Sequence, residues 1–258
     1  MTDPDALVLR TFESRGDYDQ AVTLQRDTWG QDFTECVPAS IIQISHKVGG
    51  VAAGAFDADG RLVGFVYGLS GLRDGRPAHW SHMLAVYPQY RGRRIGMRLK
   101  ALQRDLLLAN GIEVAYWTYD PLIAGNAQLN INLLHALPVE YVPDMYGSDT
   151  GSDLHSGLGT DRFVVEWRLT DPQVESILQG NAVERPAADN DVRVAIPWDV
   201  QSVKRADPDR ALTWRQVTRD ALLWHLQNGY RVVGFQRDRP ADRGYYYLST
   251  ERPTGQHP

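Results

Sequence analysis

The 258-residue sequence contains one cysteine, Cys36, so a disulfide cannot form within it. Sparse cysteine is typical of proteins from reducing compartments, and we expect a cytoplasmic location. No residue beside Cys36 in the sequence would activate its thiol, so we expect no catalytic role for it. The sequence has no run of 18 apolar residues and no charged-then-apolar leader at residues 1–9. We therefore expect neither a membrane span nor a secretory signal.

Acidic residues are missing from one stretch of the chain. No Asp or Glu occurs between Arg76 and Arg104, although the whole sequence carries a net charge of −5. A local excess of positive charge attracts anions. The basic residues do not form a broad stripe with aromatic residues, so we do not expect nucleic acid as a partner.

The same stretch predicts a strand, a turn and a helix. Residues 78–86 mix apolar and aromatic residues with little polarity, as in a mostly buried strand, and Pro88 ends the pattern. In the helix that follows, one predicted apolar face contains Ile95, Leu99, Leu102 and Leu106, and the predicted solvent side contains Arg94, Arg98 and Arg104. A basic, glycine-containing turn before a helix presents backbone N–H groups and the helix dipole to an anion such as a pyrophosphate. The alternative is a plain connection whose arginines only maintain solubility.

Two common phosphate-binding sequence motifs are absent from this turn. It has no Gly-Lys-Ser/Thr, so it is not a Walker loop, and it lacks the three glycines of the dinucleotide fingerprint. The segment does resemble the acyl-CoA-binding segment of the GNAT N-acetyltransferase superfamily, over Leu84-Ala-Val-Tyr-Pro-Gln-Tyr-Arg-Gly-Arg-Arg-Ile-Gly96. That family's signature is Gln/Arg-x-x-Gly-x-Gly/Ala. Arg91 fills its first position and Gly96 its last, but Arg94 stands where the middle glycine usually lies.

The resemblance extends over about residues 7–169, through the order of predicted elements. We predict strands at 7–11, 51–56, 62–69, 78–86, 113–119, 139–146 and 162–169, and further helices at 17–29, 38–48 and 126–137. The strand at 113–119 should run parallel to that at 78–86. The resemblance implies an α/β fold with a mixed, mostly antiparallel central sheet, two splayed strands and flanking helices. We assign residues 1–170 to this GNAT-like domain.

Residues 171–258 form a predicted C-terminal α/β extension. It contains a linker at 179–191, a strand at 192–196, a helix at about 207–228, and a hairpin made by 230–236 and 245–249. The sequence leaves three alternatives open. The extension completes a sheet, packs on the GNAT-like domain, or forms the contact of a homodimer.

The resemblance also implies the chemistry. Acyl transfer from a thioester to an amine requires a polarised carbonyl, a deprotonated amine and a protonated leaving thiolate. The splayed strands, 83–86 and 114–119, would hold the amide arm of the cofactor, with the N–H of Leu84 or Ala85 donating to the thioester oxygen. The implied cofactor-binding residues are Leu84, Ala85, Val86, Arg91, Gly92, Arg93, Arg94, Ile95, Gly96 and Asn126. For Asn126, helix capping is the alternative role.

Two residues are candidates for proton transfer. His82 lies two residues before Leu84, on the same predicted side of the strand, and its ordinary pKa suits a base at neutral pH. Its alternative role is that of a buried structural histidine. The family's tyrosine acid, counted from Asn126, falls on Leu133, which cannot donate a proton. Tyr146 is the substitute candidate, and aromatic packing is its alternative role.

The polar, glycine-rich loop at 147–160 lacks apolar anchors and is predicted to be mobile or to cover a site. Asp149 and Asp153 are not followed by the glutamate that a calcium loop requires, and His135 and His155 suggest no metal site, so we expect no metal. Arg162, behind the loop, is a candidate ligand for a substrate carboxylate. The alternative is a structural Asp161–Arg162 pair.

We therefore predict an acyltransferase that moves an acetyl or other short acyl group from CoA to the amine of a small molecule. Acetyl-CoA or another acyl-CoA, succinyl-CoA included, is the predicted co-substrate. Amino acids are the first acceptors to consider, because of Arg162. The alternative from another class is a catalytically silent GNAT fold that binds CoA or a partner protein.

Overall fold

The computed structural model describes residues 7–147, 150–152, 157–181 and 190–250. Their strands are β1 (Val8–Thr11), β2 (Val51–Phe56), β3 (Leu62–Arg73), β4 (Arg76–Val86), β5 (Val114–Tyr119), β6 (Leu137–Val142), β7 (Arg162–Arg168), β8 (Val192–Pro197), β9 (Arg231–Asp238) and β10 (Arg243–Ser249). Their helices are α1 (Arg15–Trp29), α2 (Ala39–Lys47), α3 (Ile95–Ala109), α4 (Ala124–Ala127), α5 (Pro172–Leu178), α6 (Val200–Ala206) and α7 (Pro208–Gln227). None of these helices is long and apolar enough to cross a membrane.

Seven strands form one sheet in the order β1-β2-β3-β4-β5-β7-β6. The pairs β1/β2, β2/β3, β3/β4 and β6/β7 are antiparallel, and β4/β5 is parallel. The mixed, mostly antiparallel sheet of the predicted fold is therefore confirmed. A second sheet of three antiparallel strands has the order β8-β10-β9, so the predicted strand and hairpin of the extension pair with each other.

The chain divides into two compact units, and each is described by itself. The described part of the first unit comprises residues 7–117, 150–152 and 168–170. The second comprises residues 118–147, 157–167, 171–181 and 190–250. The units separate within β5, so they do not define the functional boundary at residue 170, which stays a prediction.

The core of the first unit lies where α1 and α2 cover one face of its strands. Its cluster includes Phe12, Tyr18, Leu24, Ile42, Phe65, Tyr67, Met83 and Ala85. The predicted helix began at residue 17, whereas α1 begins at Arg15, because Ser14 and not Asp17 is its N-cap. Asp17 lies three residues later and completes a capping box, in which each side chain bonds to the other residue's backbone.

Asp17 also links α1 to β1. Burial alone would raise the pKa of its carboxyl, but hydrogen bonds from Arg10 and from the N–H groups of Glu13 and Ser14 lower that pKa to about 2. A carboxyl whose pKa falls on folding contributes stability above its ordinary value of 3.8, and the contribution is lost as the pH falls towards 2. Asp17→Asn should therefore lower the free energy of unfolding by about 1.5–3 kcal/mol at neutral pH, the size of hydrogen bonds to a charged group. Urea denaturation should show most of this difference lost by pH 2, and a difference independent of pH would contradict the assignment.

The buried face of α3 differs from the predicted one. It contains Ile95, Leu99, Lys100, Gln103 and Leu107, whereas Leu102 and Leu106 are only half-buried. Apolar spacing could not reveal this, because two of the buried residues are polar and bond to side chains of β4. Arg94 and Arg98 are exposed as predicted. Arg104 is not, since its side chain is 11% exposed and donates to the carbonyl of Leu169 at 2.7 Å.

The second unit corrects two predicted elements. The predicted helix at 126–137 consists of α4 and a π-helix over Gln128–Leu133. The predicted strand at 139–146 is β6, which ends at Val142, and a turn follows with Asp144 in the left-handed region at φ +43°. A π-helix has a wider turn than an α-helix, so the 3.6-residue pattern misplaces its ends.

Helix α7 confirms the helix predicted at about 207–228. Asp207 caps the helix through the N–H of Arg210 at 3.0 Å, and Pro208 occupies the first turn. Helix α5 has no predicted counterpart, although the same signal occurs there in Asp171 and Pro172. Helix α6, which Asp199 caps, has none either.

The loop at 147–160 is described only in part, and Asp149, Asp153 and His155 lie outside the described residues. Leu158 is 3% exposed, so the prediction that the loop lacks an apolar anchor is wrong. In the first unit, the carbonyl of Thr150 accepts hydrogen bonds from the N–H and hydroxyl of Thr34 at 3.1 and 3.2 Å. In the second unit, the Thr160 hydroxyl donates to the carbonyl of Gly147 at 2.6 Å.

Candidate active site

Strands β4 and β5 separate soon after they pair. Their parallel register consists of His79 opposite Ala115 and Trp80 opposite Tyr116 among the described residues. From Ser81 and Trp117 onwards the described residues of the two strands no longer pair, which confirms the predicted splay. We call the unpaired stretch that begins there the fork.

The β3/β4 ladder decides which backbone groups face the fork. The N–H of Tyr87 donates to the carbonyl of Val63 on β3 at 3.0 Å. Because successive N–H groups of a strand point to opposite edges, Ala85 also points towards β3, and Leu84 and Val86 point towards the fork. Leu84 is therefore the candidate donor to a carbonyl in the fork, and Ala85, the predicted alternative donor, is not.

A β-bulge interrupts the ladder at His82. Tyr67 of β3 lies opposite Met83, whereas the next residue, Gly68, lies opposite Ser81. His82 is thus the extra residue on β4. A bulge leaves one residue unpaired and reverses the faces to which the following side chains point.

The reversal separates His82 from Leu84. The His82 ring lies 6.2 Å from the ring of Tyr67, which belongs to the core under α1 and α2. Leu84 points to the other face, where its Cδ2 lies 3.7 Å from the Cβ position of Gly96 on α3. The prediction that His82 and Leu84 share one side of the strand is therefore wrong, because a regular strand was assumed.

His82 is half-buried beside the fork. Burial lowers the pKa of its imidazole below 6.5, and the charge of Glu35 opposes that shift only in part. The neutral imidazole can accept a proton at physiological pH. The side chain therefore has the protonation state that a general base needs.

The basic turn follows the end of β4. Arg91, Gly92, Arg93 and Arg94 are all exposed. Arg91 Nε donates to the carbonyl of Val86 at 3.2 Å, and Gly92 has φ +82°. Arg94 is in the left-handed region at φ +57°, so it keeps a backbone conformation that glycine adopts most easily.

Helix α3 begins directly after this turn, at Ile95. Among the residues that the structure describes, none caps its N-terminus with a side chain. The first N–H groups of a helix have no partner within it, and together with the dipole they favour an anion. Gly96 lies in the first turn of α3 and is half-buried. The first unit thus brings together His82, the fork edge of Leu84 and Val86, and the basic turn.

The second unit contains the other predicted site residues. Asn126 is exposed within α4, whose N-cap is Ile123, so its predicted capping role is wrong. Tyr146 lies in the turn after β6, and its hydroxyl is 3.0 Å from the hydroxyl of Thr118. The Arg162 guanidinium lies 5.2 Å from the centroid of the Tyr146 ring, so these two residues are neighbours.

Arg162 is only 5% exposed, and burial lowers the pKa of its guanidinium. It donates to the backbone carbonyl of Asp161 at 2.8 Å. The Asp161 carboxylate instead accepts two hydrogen bonds from Arg219, at 2.8 and 2.5 Å, and one from Tyr141 at 2.5 Å. The Asp161–Arg162 contact is therefore one from side chain to backbone, while the Asp161 carboxylate pairs with Arg219, and a structural role for Arg162 stays an alternative.

Sequence reasoning missed a buried polar network between α3 and β4. Lys100 Nζ donates to the Ser81 hydroxyl at 2.8 Å and to Gln103 Oε1 at 3.1 Å. Gln103 Nε2 lies 3.0 Å from His79 Nε2. Burial and the charge of Lys100 lower the pKa of His79 to about 3, and burial lowers that of Lys100 well below 10.5. The available signal was a lysine and a glutamine three residues apart on a predicted helix.

The part of the chain that the structure describes contains no group of three or more His, Cys, Asp or Glu side chains that could hold a metal ion. The chemistry of the fork and the turn is that of N–H donors, guanidinium groups and an imidazole. These groups suit an elongated anionic ligand with amide and carbonyl groups.

No family model matches the sequence, and no curated protein matches it significantly. Many solved structures are similar in fold. A chain of the NatC complex bound to Gag peptide and CoA has 14% identity and a TM-score of 0.52, over 64% of this chain and 99% of that one. YncA from Salmonella typhimurium with its cofactor acetyl-CoA has 14% identity and a TM-score of 0.50, over 65% of this chain and 96% of that one.

Similarity at this level of identity shows the fold. The chain has the fold of the GNAT N-acetyltransferases, as its sequence predicted. Both similar structures match almost over their whole length and about two thirds of this chain.

Proposed function

We propose that this protein is an acyl-CoA-dependent N-acyltransferase. The observation that carries the proposal is the fork, which opens beside an uncapped helix N-terminus with a basic turn. An acyl-CoA has the matching order of groups, with an anionic pyrophosphate, an amide-containing arm and a thioester. In this proposal residues 1–170 form the acyltransferase domain and residues 171–258 form an extension.

The residues fit such a co-substrate. The turn from Arg91 to Gly96 would bind the pyrophosphate, and the backbone of Leu84 and Val86 would bind the arm. Bound acyl-CoA supplies an activated acyl group in its thioester. The N–H of Leu84 would stabilise the negative charge that develops on the carbonyl oxygen, a type of contribution that is often large. His82 would accept the proton of the attacking amine, directly or through one water.

The acceptor in our proposal is the amine of a small molecule, with an amino acid first. Arg162 would bind the acceptor's carboxylate and Tyr146 would act as a proton donor, although both assignments rest on the sequence prediction. The NatC structure contains a peptide. A peptide amine is therefore the second acceptor to test. A cytoplasmic location also stays a prediction.

The cofactor assignment predicts the behaviour of an Arg94→Glu variant. Arg94 is exposed, and an acidic residue at a helix N-terminus favours the helix, so the variant should fold. A charge-assisted contact to phosphate contributes about 1.5–3 kcal/mol, so its loss should weaken CoA binding about ten- to hundredfold. Calorimetric titration with CoA would measure this, and CoA should raise the Tm of the wild-type protein.

Arg61→Glu provides the matched control, because it makes the same charge change at an exposed position in the β2–β3 turn. Its affinity for CoA should stay at the wild-type value. Equal losses in both variants would indicate a general charge effect and would contradict a pyrophosphate site at the turn.

Thiol release from acyl-CoA across a panel of amines tests the reaction itself. Acetyl-CoA and succinyl-CoA, each with amino acids, alkyl amines and a short peptide, would separate the donor and acceptor classes. The second candidate function, a catalytically silent CoA-binding protein, is favoured by Leu133 at the position of the family's acid. CoA binding without thiol release would support that second function.

A further inference from the structure

Lys100 lies at the closed end of the fork. The last register pair of β4 and β5 is Trp80 with Tyr116. The next residue on each strand contacts the Lys100 ammonium. Its Nζ is 2.8 Å from the Ser81 hydroxyl and 3.5 Å from the centroid of the Trp117 ring.

The proposed function determines which part of the co-substrate reaches this point, and the inference rests on it. The basic turn follows Val86, so it marks the open end of the fork. An arm that runs from the turn along the fork edges of Val86 and Leu84 continues towards Ser81. With its oxygen at the N–H of Leu84, the thioester is the part of the co-substrate that lies nearest the closed end. His82, the proposed base, is adjacent to Ser81 in the chain.

The reaction needs an acid at that place. We propose that Lys100 protonates the CoA sulfur as it leaves. The acceptor nitrogen attacks the carbonyl carbon and His82 takes the nitrogen's proton. The carbon–sulfur bond then breaks with its electrons on sulfur, and a proton passes from Lys100 Nζ to the sulfur. His82 ends protonated and Lys100 neutral, and one proton returned through solvent restores both.

The surroundings of Lys100 suit this role. A proton donor works best when its pKa is close to that of the group it protonates, and a thiol has a pKa of about 8.5. Burial lowers the pKa of Lys100 well below 10.5, which makes its ammonium a better proton donor than that of an exposed lysine. The titratable group that faces it from β4 is His79, whose pKa of about 3 makes it neutral. Gln103 of the same helix and Trp117 of β5 present polar and aromatic groups without charge.

A buried ammonium is also costly. Taking a charge out of water requires compensation by hydrogen bonds or a cation–π contact, and replacing Lys100 with an apolar side chain of similar size also removes that desolvation cost. If Lys100 has a structural role, the Lys100→Met variant should therefore behave differently than if Lys100 is a catalytic acid. Loss of a structural residue lowers the Tm, whereas loss of a catalytic acid lowers the rate and leaves the Tm equal or higher.

For Lys100→Met we expect kcat to fall at least about tenfold, which is less than the usual acid–base contribution of about 10²- to 10⁴-fold, because a thiolate is a fair leaving group. The KM for acyl-CoA should change less than about threefold, since the arm contacts are unchanged. In the wild type, kcat should decrease as the pH rises through the pKa of Lys100, and the variant should lose this basic limb. Lys47→Met, at an exposed position on α2, should match the wild type.

Lys100→Arg separates an acid from a fixed charge. Arginine keeps the positive charge but holds its proton too tightly to donate it, so this variant should be about as slow as Lys100→Met. A rate within threefold of the wild type would overturn the proposal. So would a wild-type kcat that does not decrease up to pH 10.5, or a Lys100→Met variant with lower Tm and weaker CoA binding.

The same measurements distinguish a failure of the proposed function from a failure of the Lys100 assignment. If the wild-type protein binds no CoA or releases no thiol with any amine, both proposals fall. If the wild type transfers the acyl group and Lys100→Met does so equally fast, only the assignment of Lys100 falls.

Discussion

Replacing His82 with Gln is expected to reduce kcat/KM about 10²-fold or more, the usual size of a general-base contribution. The bulge places His82 out of the regular ladder beside the fork, and burial lowers the pKa of its imidazole below 6.5. A base must be neutral to act, so kcat/KM of the wild type should decrease as the pH falls below this lowered pKa. Initial rates between pH 4 and 9 would show this acidic limb, and it should be absent from the variant.

His46→Gln is the matched control for His82→Gln. His46 lies on α2 and its Nδ1 is 2.9 Å from the Tyr18 hydroxyl, a contact that a glutamine oxygen can replace. This control should keep the wild-type rate. If His82→Gln loses less than threefold in rate and its Tm is unchanged, His82 is a structural histidine.

Among the substitutions proposed for this protein, Arg215→Met is expected to lower the free energy of unfolding most. The Arg215 guanidinium donates to both carboxylate oxygens of Asp120, at 2.9 and 2.6 Å, and the two side chains are 4% and 11% exposed. Removing one partner of a buried pair leaves the other charge without compensation, which costs about 3–5 kcal/mol. Urea denaturation should show a decrease of this size in the free energy of unfolding.

The double variant Arg215→Met/Asp120→Asn tests the cause. Without the carboxylate no charge is left uncompensated, so the double variant should be more stable than Arg215→Met alone. Arg15→Met is the control at an exposed pair, because Arg15 and Asp19 are 62% and 54% exposed. It should change the free energy of unfolding by less than about 0.5 kcal/mol. If Arg215→Met and Arg15→Met lowered the free energy of unfolding equally, the uncompensated charge of Asp120 would not explain the loss.

The sequence predicted the elements whose signals are local. The helix predicted at about 207–228 is α7, which Asp207 and Pro208 begin, and the strands predicted at 51–56 and 62–69 flank a turn rich in aspartate and glycine at 57–60. The basic turn was also predicted, because its residues are contiguous and resemble a known segment. The order of strands and helices followed from these elements together with the resemblance.

The details of the site depended on interactions between distant parts of the chain. The bulge at His82 arises from the register of β3 against β4. No residue pattern within either strand predicts that register. Lys100 is buried because Ser81 and Trp117 come together around it. Periodicity places such a lysine on the solvent side, since charged residues are rarely buried.

The left-handed backbone at Arg94 has a consequence for how motifs are described. A consensus written in residue letters requires glycine at this position and counts Arg94 as a mismatch. The dihedral angle of Arg94, φ +57°, nevertheless gives the chain the bend that a glycine would provide. Arginine tolerates this conformation at some energetic cost and adds a positive charge beside the helix N-terminus. A motif defined by torsion angles would therefore accept this turn, and would find others in which a basic side chain has replaced the glycine.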